Sequence, residues 1–175
     1  MKKRILISLS LVIVFALVAG GTFAWFTSTT KPVTNKFKTG TVAVEVNEHG
    51  FENVDNWNPG DTTNKDVSIK STGTKRSYVR VKITKMWSNE LPNDNVELIF
   101  TNNNDWVYSD GWYYYTKILN SGEETSKLLD AVKLIGPITE NEYQGETLTV
   151  NVEAEAVQAT HEAYKDVWGL TSLPF

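Results

Sequence analysis

Two histidines, at positions 49 and 161, and no cysteine are all the easily tuned base or nucleophile chemistry in this 175-residue chain. Both lie among polar, turn-forming residues, where a single histidine is ordinarily inert. His161 opens the run His161-Glu162-Ala163-Tyr164-Lys165, which has lysine where a helical zinc-peptidase motif needs its second histidine. No catalytic centre, cofactor or metal is therefore expected. Oxygens at Asp94 and Asn95, or within residues 102–105, leave a calcium site open. Neither group has EF-hand spacing, and ordinary turn-forming Asn and Asp account for both.

The other chemically distinctive run is aromatic: Trp106, Tyr108, Trp112, Tyr113, Tyr114 and Tyr115. Exposed Trp and Tyr favour recognition, so a glycan-binding surface adhesin is one reading. Cross-strand aromatic pairing, worth about 0.2–1 kcal/mol per pair, is the other and the weightier. Asp110-Gly111 between β-rich arms marks a tight type I′ hairpin that would bring those rings together.

The elements holding these residues are strands. Apolar residues alternate with polar ones over 41–46, 78–86, 96–100 and 147–156, with a short strand at 67–69. Residues 127–134 form another strand, with apolar residues on both parities and its register open. Asn58-Pro59-Gly60-Asp61 has the fixed and positive φ positions of a type II turn, and Trp57 should close one end of a core. The inner face is expected to hold Val42, Val44, Val79, Val81, Ile83, Leu98, Phe100, Leu148, Val150 and Val152, so an aspartate at Val150 would bury an unpaired charge. Thr160 is placed as the N-cap of a short helix running to Trp168. Eight or nine short strands with frequent turns predict an all-β antiparallel sandwich.

Residues 1–24 govern how the rest is read. Lys2, Lys3 and Arg4 precede an apolar run from Ile5 to Ala19, and Gly20-Gly21-Thr22-Phe23-Ala24 supplies small residues before a cut. This is the order of a secretory signal peptide cleaved between Ala24 and Trp25. An uncleaved anchor would need about 20 apolar residues and would carry Gly20 and Gly21 inside its span, where glycine weakens a helix. Cleavage leaves 14 basic and 21 acidic residues, a formal charge of −7 on about 150 residues, the usual size of one domain. An acidic chain without a basic patch is a poor partner for nucleic acid. An exported chain without cysteine must be stabilised by its core, strand pairing or assembly.

The boundary residues 20–28 resemble the signal-peptide exit of the TasA and camelysin family of Gram-positive exported proteins. Thr22, Ala24, Phe26 and Thr27 match the pattern that spans its cut. Residues 37–44 resemble that family's first core strand, residues 58–61 its turn, and residues 78–83 and 152–159 its BsaA branch of biofilm matrix proteins. The resemblance implies a jelly-roll sandwich over residues 37–175 and release by a SipW-type signal peptidase. Some camelysins are metallopeptidases, which keeps a secreted peptidase as the alternative. Against it stands the departure at Lys165.

The expected function is structural: a secreted protein of the extracellular matrix or cell surface that polymerises with itself into biofilm fibres, with a possible accessory matrix subunit. Residues 25–36 would be an extended donor strand, with Trp25, Phe26, Thr27, Ser28 and Val33 engaging the next subunit by donor-strand complementation. No Leu-Pro-x-Thr-Gly signal stands among residues 169–175, so sortase attachment is not expected. Mass spectrometry of exported protein should give an N-terminus at Trp25; a membrane-held species retaining residues 1–24 would identify an anchor instead.

Overall fold

The computed structural model describes residues 38–49, 56–101 and 104–175. Eight strands lie among them: β1 (Val44–His49), β2 (Thr62–Ser71), β3 (Ser77–Trp87), β4 (Val96–Phe100), β5 (Trp106–Ser109), β6 (Trp112–Tyr115), β7 (Leu129–Leu134) and β8 (Leu148–Gln158). Two 3-10 turns, Gly136–Ile138 and Asn141–Tyr143, precede β8, and one short helix, α1 (Ala163–Trp168), follows it. The strands form two four-stranded antiparallel sheets, ordered β1-β2-β7-β4 and β5-β6-β3-β8. Pairing β2 with β7, β7 with β4, β6 with β3 and β3 with β8 is what a long hairpin rolled on itself produces, the logic of a jelly roll. The outer strands β1 and β5 pair instead with their neighbours in sequence.

The alternation is realised in β3 and in β8 as far as Glu153, beyond which both faces of β8 are covered. Ser77 pairs with Gln158 and the register runs unbroken to Trp87 opposite Leu148. Val79 and Val81 are fully buried between the sheets, whereas Lys82 is exposed on the other face. Two clusters fill the interior. Val67, Trp87, Val96, Leu129, Val132 and Leu134 form one; Ile69, Val79, Val81, Tyr115, Leu119 and Leu128 form the other. Trp57 packs on the first, as its place at the end of the core predicted.

Two polar side chains of the interior are tied down by hydrogen bonds. Asn95, 2% exposed, accepts a hydrogen bond from Trp87 Nε1 at 3.1 Å and donates to Thr139 Oγ1 at 3.3 Å. Lys85 donates to the carbonyls of Val96 at 2.6 Å and Asn93 at 3.1 Å, and burial lowers its pKa. The turn chemistry is as the residues require. Gly60 has φ of 100° with Asp61 N donating to Asn58 O at 2.9 Å, and Asp110 and Gly111 both have positive φ, 49° and 81°.

Three expectations change, and one open register is resolved. Val42 stands ahead of β1 and is 38% exposed, because the first strand begins at Val44. The second strand is ten residues long, its first half hidden in the sequence by the polar run Thr62 to Asp66. In β7 both Leu129 and Val132 face inward. A bulge at Asp130 allows this: Ile99 and Phe100 of β4 pair with Ala131 and Leu129, leaving one β7 residue unmatched. The open register thus contains both parities. At the C-terminus the helix starts at Ala163, and its cap residue is Glu162 in the left-handed region, not Thr160.

Ile69 is fully buried, and its N–H donates to Thr125 Oγ1 at 3.0 Å. Ile69→Ala should cost about 2–5 kcal/mol through lost burial and a residual cavity. For a chain of this size that lowers the melting temperature by roughly 5–15 °C, read by circular dichroism.

Candidate functional site

Ala24, Trp25, Phe26, Thr27, Ser28 and Val33 lie outside the described residues. What the described residues supply is a cleft. β8 pairs with β3 along one edge, and no described strand pairs with its other edge. Beside that edge a cavity of about 1380 Å³ opens between the sheets. Val46, Trp57, Trp87, Leu134, Val150 and Val152 contribute its apolar lining. Val150 and Val152 are half-buried there, so Val150 borders open space and is not sealed in the core as the alternation alone implied.

The cleft also has polar features. Glu48 and Lys65 line it and form an ion pair at 2.7 Å, with the Lys65 side chain 5% exposed. Burying that ammonium is tolerated because a carboxylate faces it. Trp57 Nε1 is buried and has no acceptor among the described residues. A buried unpaired N–H is costly, and an entering carbonyl would satisfy it. Glu140 and Glu146 stand at the rim, the latter in contact with Ser88 Oγ.

The aromatic hairpin has the paired geometry. Trp106 packs on Tyr115 with centroids 5.0 Å apart, and Tyr108 on Tyr113 at 4.8 Å. On the opposite face, the Arg80 guanidinium lies 4.1 Å from the Trp112 ring and 4.7 Å from Trp168, while its Nη2 is 2.7 Å from Glu155. A stacking face of Trp112 is thereby already covered by a cation.

One histidine is engaged by a carboxylate. His49, at the end of β1, binds Glu124 Oε1 at 2.8 Å, and Ser68 Oγ also binds this carboxylate. Sequence reading missed the pair because 75 residues separate its members. His161 sits in a turn with φ of 58°, and its neighbour Glu162 is held by Lys165 Nζ at 2.9 Å. Asp105 pairs with Lys117 at 2.8 Å, and Asn95 is spent in the core.

Residues 1–97 match the family described as camelysin metallo-endopeptidase. The chain belongs to the camelysin family. The matched stretch runs from Met1 into β4, more than half of the chain. No curated protein matches it. The peptidase in the family description calls for a metal, and the described residues gather no set of donors for one. Lys165 occupies the second histidine position and neutralises Glu162, and no group of three or more His, Cys, Asp or Glu is gathered among the described residues.

The His49 ring nitrogen, followed by the Ser68 hydroxyl, pulls Glu124 from 4.5 to about 2. A carboxylate depressed in the folded state adds stability that is fully present above its ordinary value and lost as pH falls toward 2. Glu124→Gln should therefore lower the melting temperature at pH 6, and the difference from the parent should shrink as pH drops from 5 to 2. A difference independent of pH in thermal melts would mean that the carboxylate charge contributes nothing.

Proposed function

We propose that this chain is an exported structural protein that polymerises head-to-tail into extracellular biofilm matrix fibres, and that it is not a peptidase. Residues 25–36, freed by a SipW-type signal peptidase cutting between Ala24 and Trp25, act as donor strand for the next subunit. The observation that carries this reading is the open cleft, lined by polar as well as apolar residues, beside an edge of β8 with which no described strand pairs. A sheet edge offers unpaired N–H and C=O groups, and a strand added there gains main-chain hydrogen bonds while its alternate side chains fill the cleft. Trp25, Phe26 and Val33 supply apolar side chains for that purpose, and Thr27 and Ser28 continue the extended run. A head-to-tail relation does not close into a two-fold dimer, and it propagates into a filament where the rotation between subunits closes no ring.

Camelysin membership is common to this reading and to a secreted metallopeptidase, the second reading, which the family description favours. Two variants and one assay separate them. Deleting residues 25–34 from the mature chain should leave a folded monomer that forms no fibres by electron microscopy. Val150→Asp, on the cleft wall, should likewise melt as a folded protein yet fail to assemble, because the charge can stay solvated only while the cleft is empty. Fibres from the deleted chain, or chelator-sensitive casein cleavage lost on changing His161, would overturn the proposal.

A further inference from the structure

After β8 the chain turns back, and residues 160–175 lie on the outer face of β6, β3 and β8, where Tyr114 is 2% and Val157 4% exposed. We propose that this strap exchanges between two copies of the chain, each laying its residues 160–175 on the outer sheet face of the other. The exchange needs only two copies and does not rest on the donor-strand reading. What it adds to that reading is a link between filaments.

The hinge supplies the reason. Leaving β8 at Gln158, the chain reverses through His161 and Glu162, whose φ angles are 58° and 49°. Among the described residues no other two successive residues, glycine apart, both have positive φ. The left-handed region crowds Cβ against the following carbonyl, and glutamate is not among the residues that enter it readily. This strain exists only because the strap folds back on its own sheet. Opened out, residues 159–162 prolong β8 with ordinary negative φ, and the strap reaches away from its own molecule. A short strained hinge favours exchange, since two copies that trade straps keep every contact of the seat and lose the strain.

The seat is made of side-chain contacts that a second copy reproduces. Tyr78 meets Tyr164 and Phe175 edge-on, with ring centroids 6.1 and 6.4 Å apart. Trp168 stands 6.0 Å from the Tyr114 ring and 4.7 Å from the Arg80 guanidinium. The hydrogen bonds of residues 160–175, among the described residues, stay within the strap: Ala163 N–H donates to Thr160 O, Lys165 N–H to Glu162 O, and Lys165 Nζ and Tyr164 OH to the Glu162 carboxylate. The last tie before the hinge is Ala159 N–H to Arg76 O at 2.9 Å. α1 is six residues long and has no side-chain cap, so it is too short to hold its shape in water and needs a sheet face to order it. Either copy's face serves. Mutual exchange is two-fold and closes at two copies, so it joins filaments side by side instead of lengthening one.

Tyr78 and Tyr164 touch, so cysteines at those positions report the exchange in a chain that has none of its own. Mature full-length chains carrying Tyr78→Cys are mixed with chains carrying Tyr164→Cys, oxidised and run on non-reducing gels. In the control, Glu97→Cys, exposed on β4 of the other sheet, replaces Tyr78→Cys. Dimers from the first pair should exceed the control at least several-fold. Added to both chains, Glu162→Pro forces both hinge residues out of the left-handed region and should raise that yield several-fold. His161→Gly with Glu162→Gly frees the reversal of strain and should lower it. A yield no greater than the control, or one that neither hinge change moves, would overturn the exchange. The same hinge changes without cysteine leave the seat intact and give a second readout by electron microscopy, filaments pairing side by side with proline and standing single with glycine. Equal pairing in the two would overturn the link between filaments. Absence of filaments from every chain would overturn the donor-strand reading alone, the gels still deciding the exchange.

Discussion

The antiparallel ladder between β3 and β8 is the constraint on which the rest of the sandwich depends. Eleven residues of each strand pair without a slip, from Ser77 with Gln158 to Trp87 with Leu148. A one-residue shift would turn every inward side chain outward, so this register fixes Val79, Val81, Ile83, Val152, Ala154 and Ala156 against the facing sheet. Both clusters draw on it, one at each end. Its outer face is specified as well, because Arg80 opposite Glu155 binds that carboxylate and is flanked by Trp112 and Trp168. Each such ring contact contributes about 0.5–2 kcal/mol, depending on how far water is excluded.

One long strand thus has three different surroundings. One edge of β8 is spent on β3, its inner face bears on the core, and near its start the other edge borders the cleft. At its far end Val157, 4% exposed, lies on the outer face, where α1 packs on β8. Tyr78 beside it meets Tyr164 and Phe175 edge-on. The C-terminal segment therefore covers the end of the sheet remote from the cleft, and the open end is the one where apolar and polar side chains, three glutamates among them, share the lining.

Local chemistry was legible in the sequence and long-range pairing was not. The Asp110-Gly111 hairpin, the turn at Gly60 and the phase of β3 follow from dipeptides and period-two alternation, which neighbouring residues carry. The first half of β2 escaped because Thr63 and Lys65 are polar although their strand continues, Lys65 being balanced by Glu48 from the next strand. The bulge at Asp130 left no local mark except apolar residues on both parities. Neither the cleft nor the His49–Glu124 contact could be read at all. Each exists only once strands distant in sequence are placed side by side, and no window of neighbouring residues encodes that.

The order of the strands along the chain has a consequence for transit. β3 ends at Trp87 and its ladder partner begins at Leu148, so the central pairing waits for the last quarter of the chain. Contacts of such long separation form late and slowly, because the intervening loop must be closed first. For a chain exported N-terminus first, as proposed, the sandwich cannot lock until residue 158 has emerged. Until then it stays thin enough to be threaded. Late closure of this ladder accords with the proposed export, which needs a chain that has not yet locked.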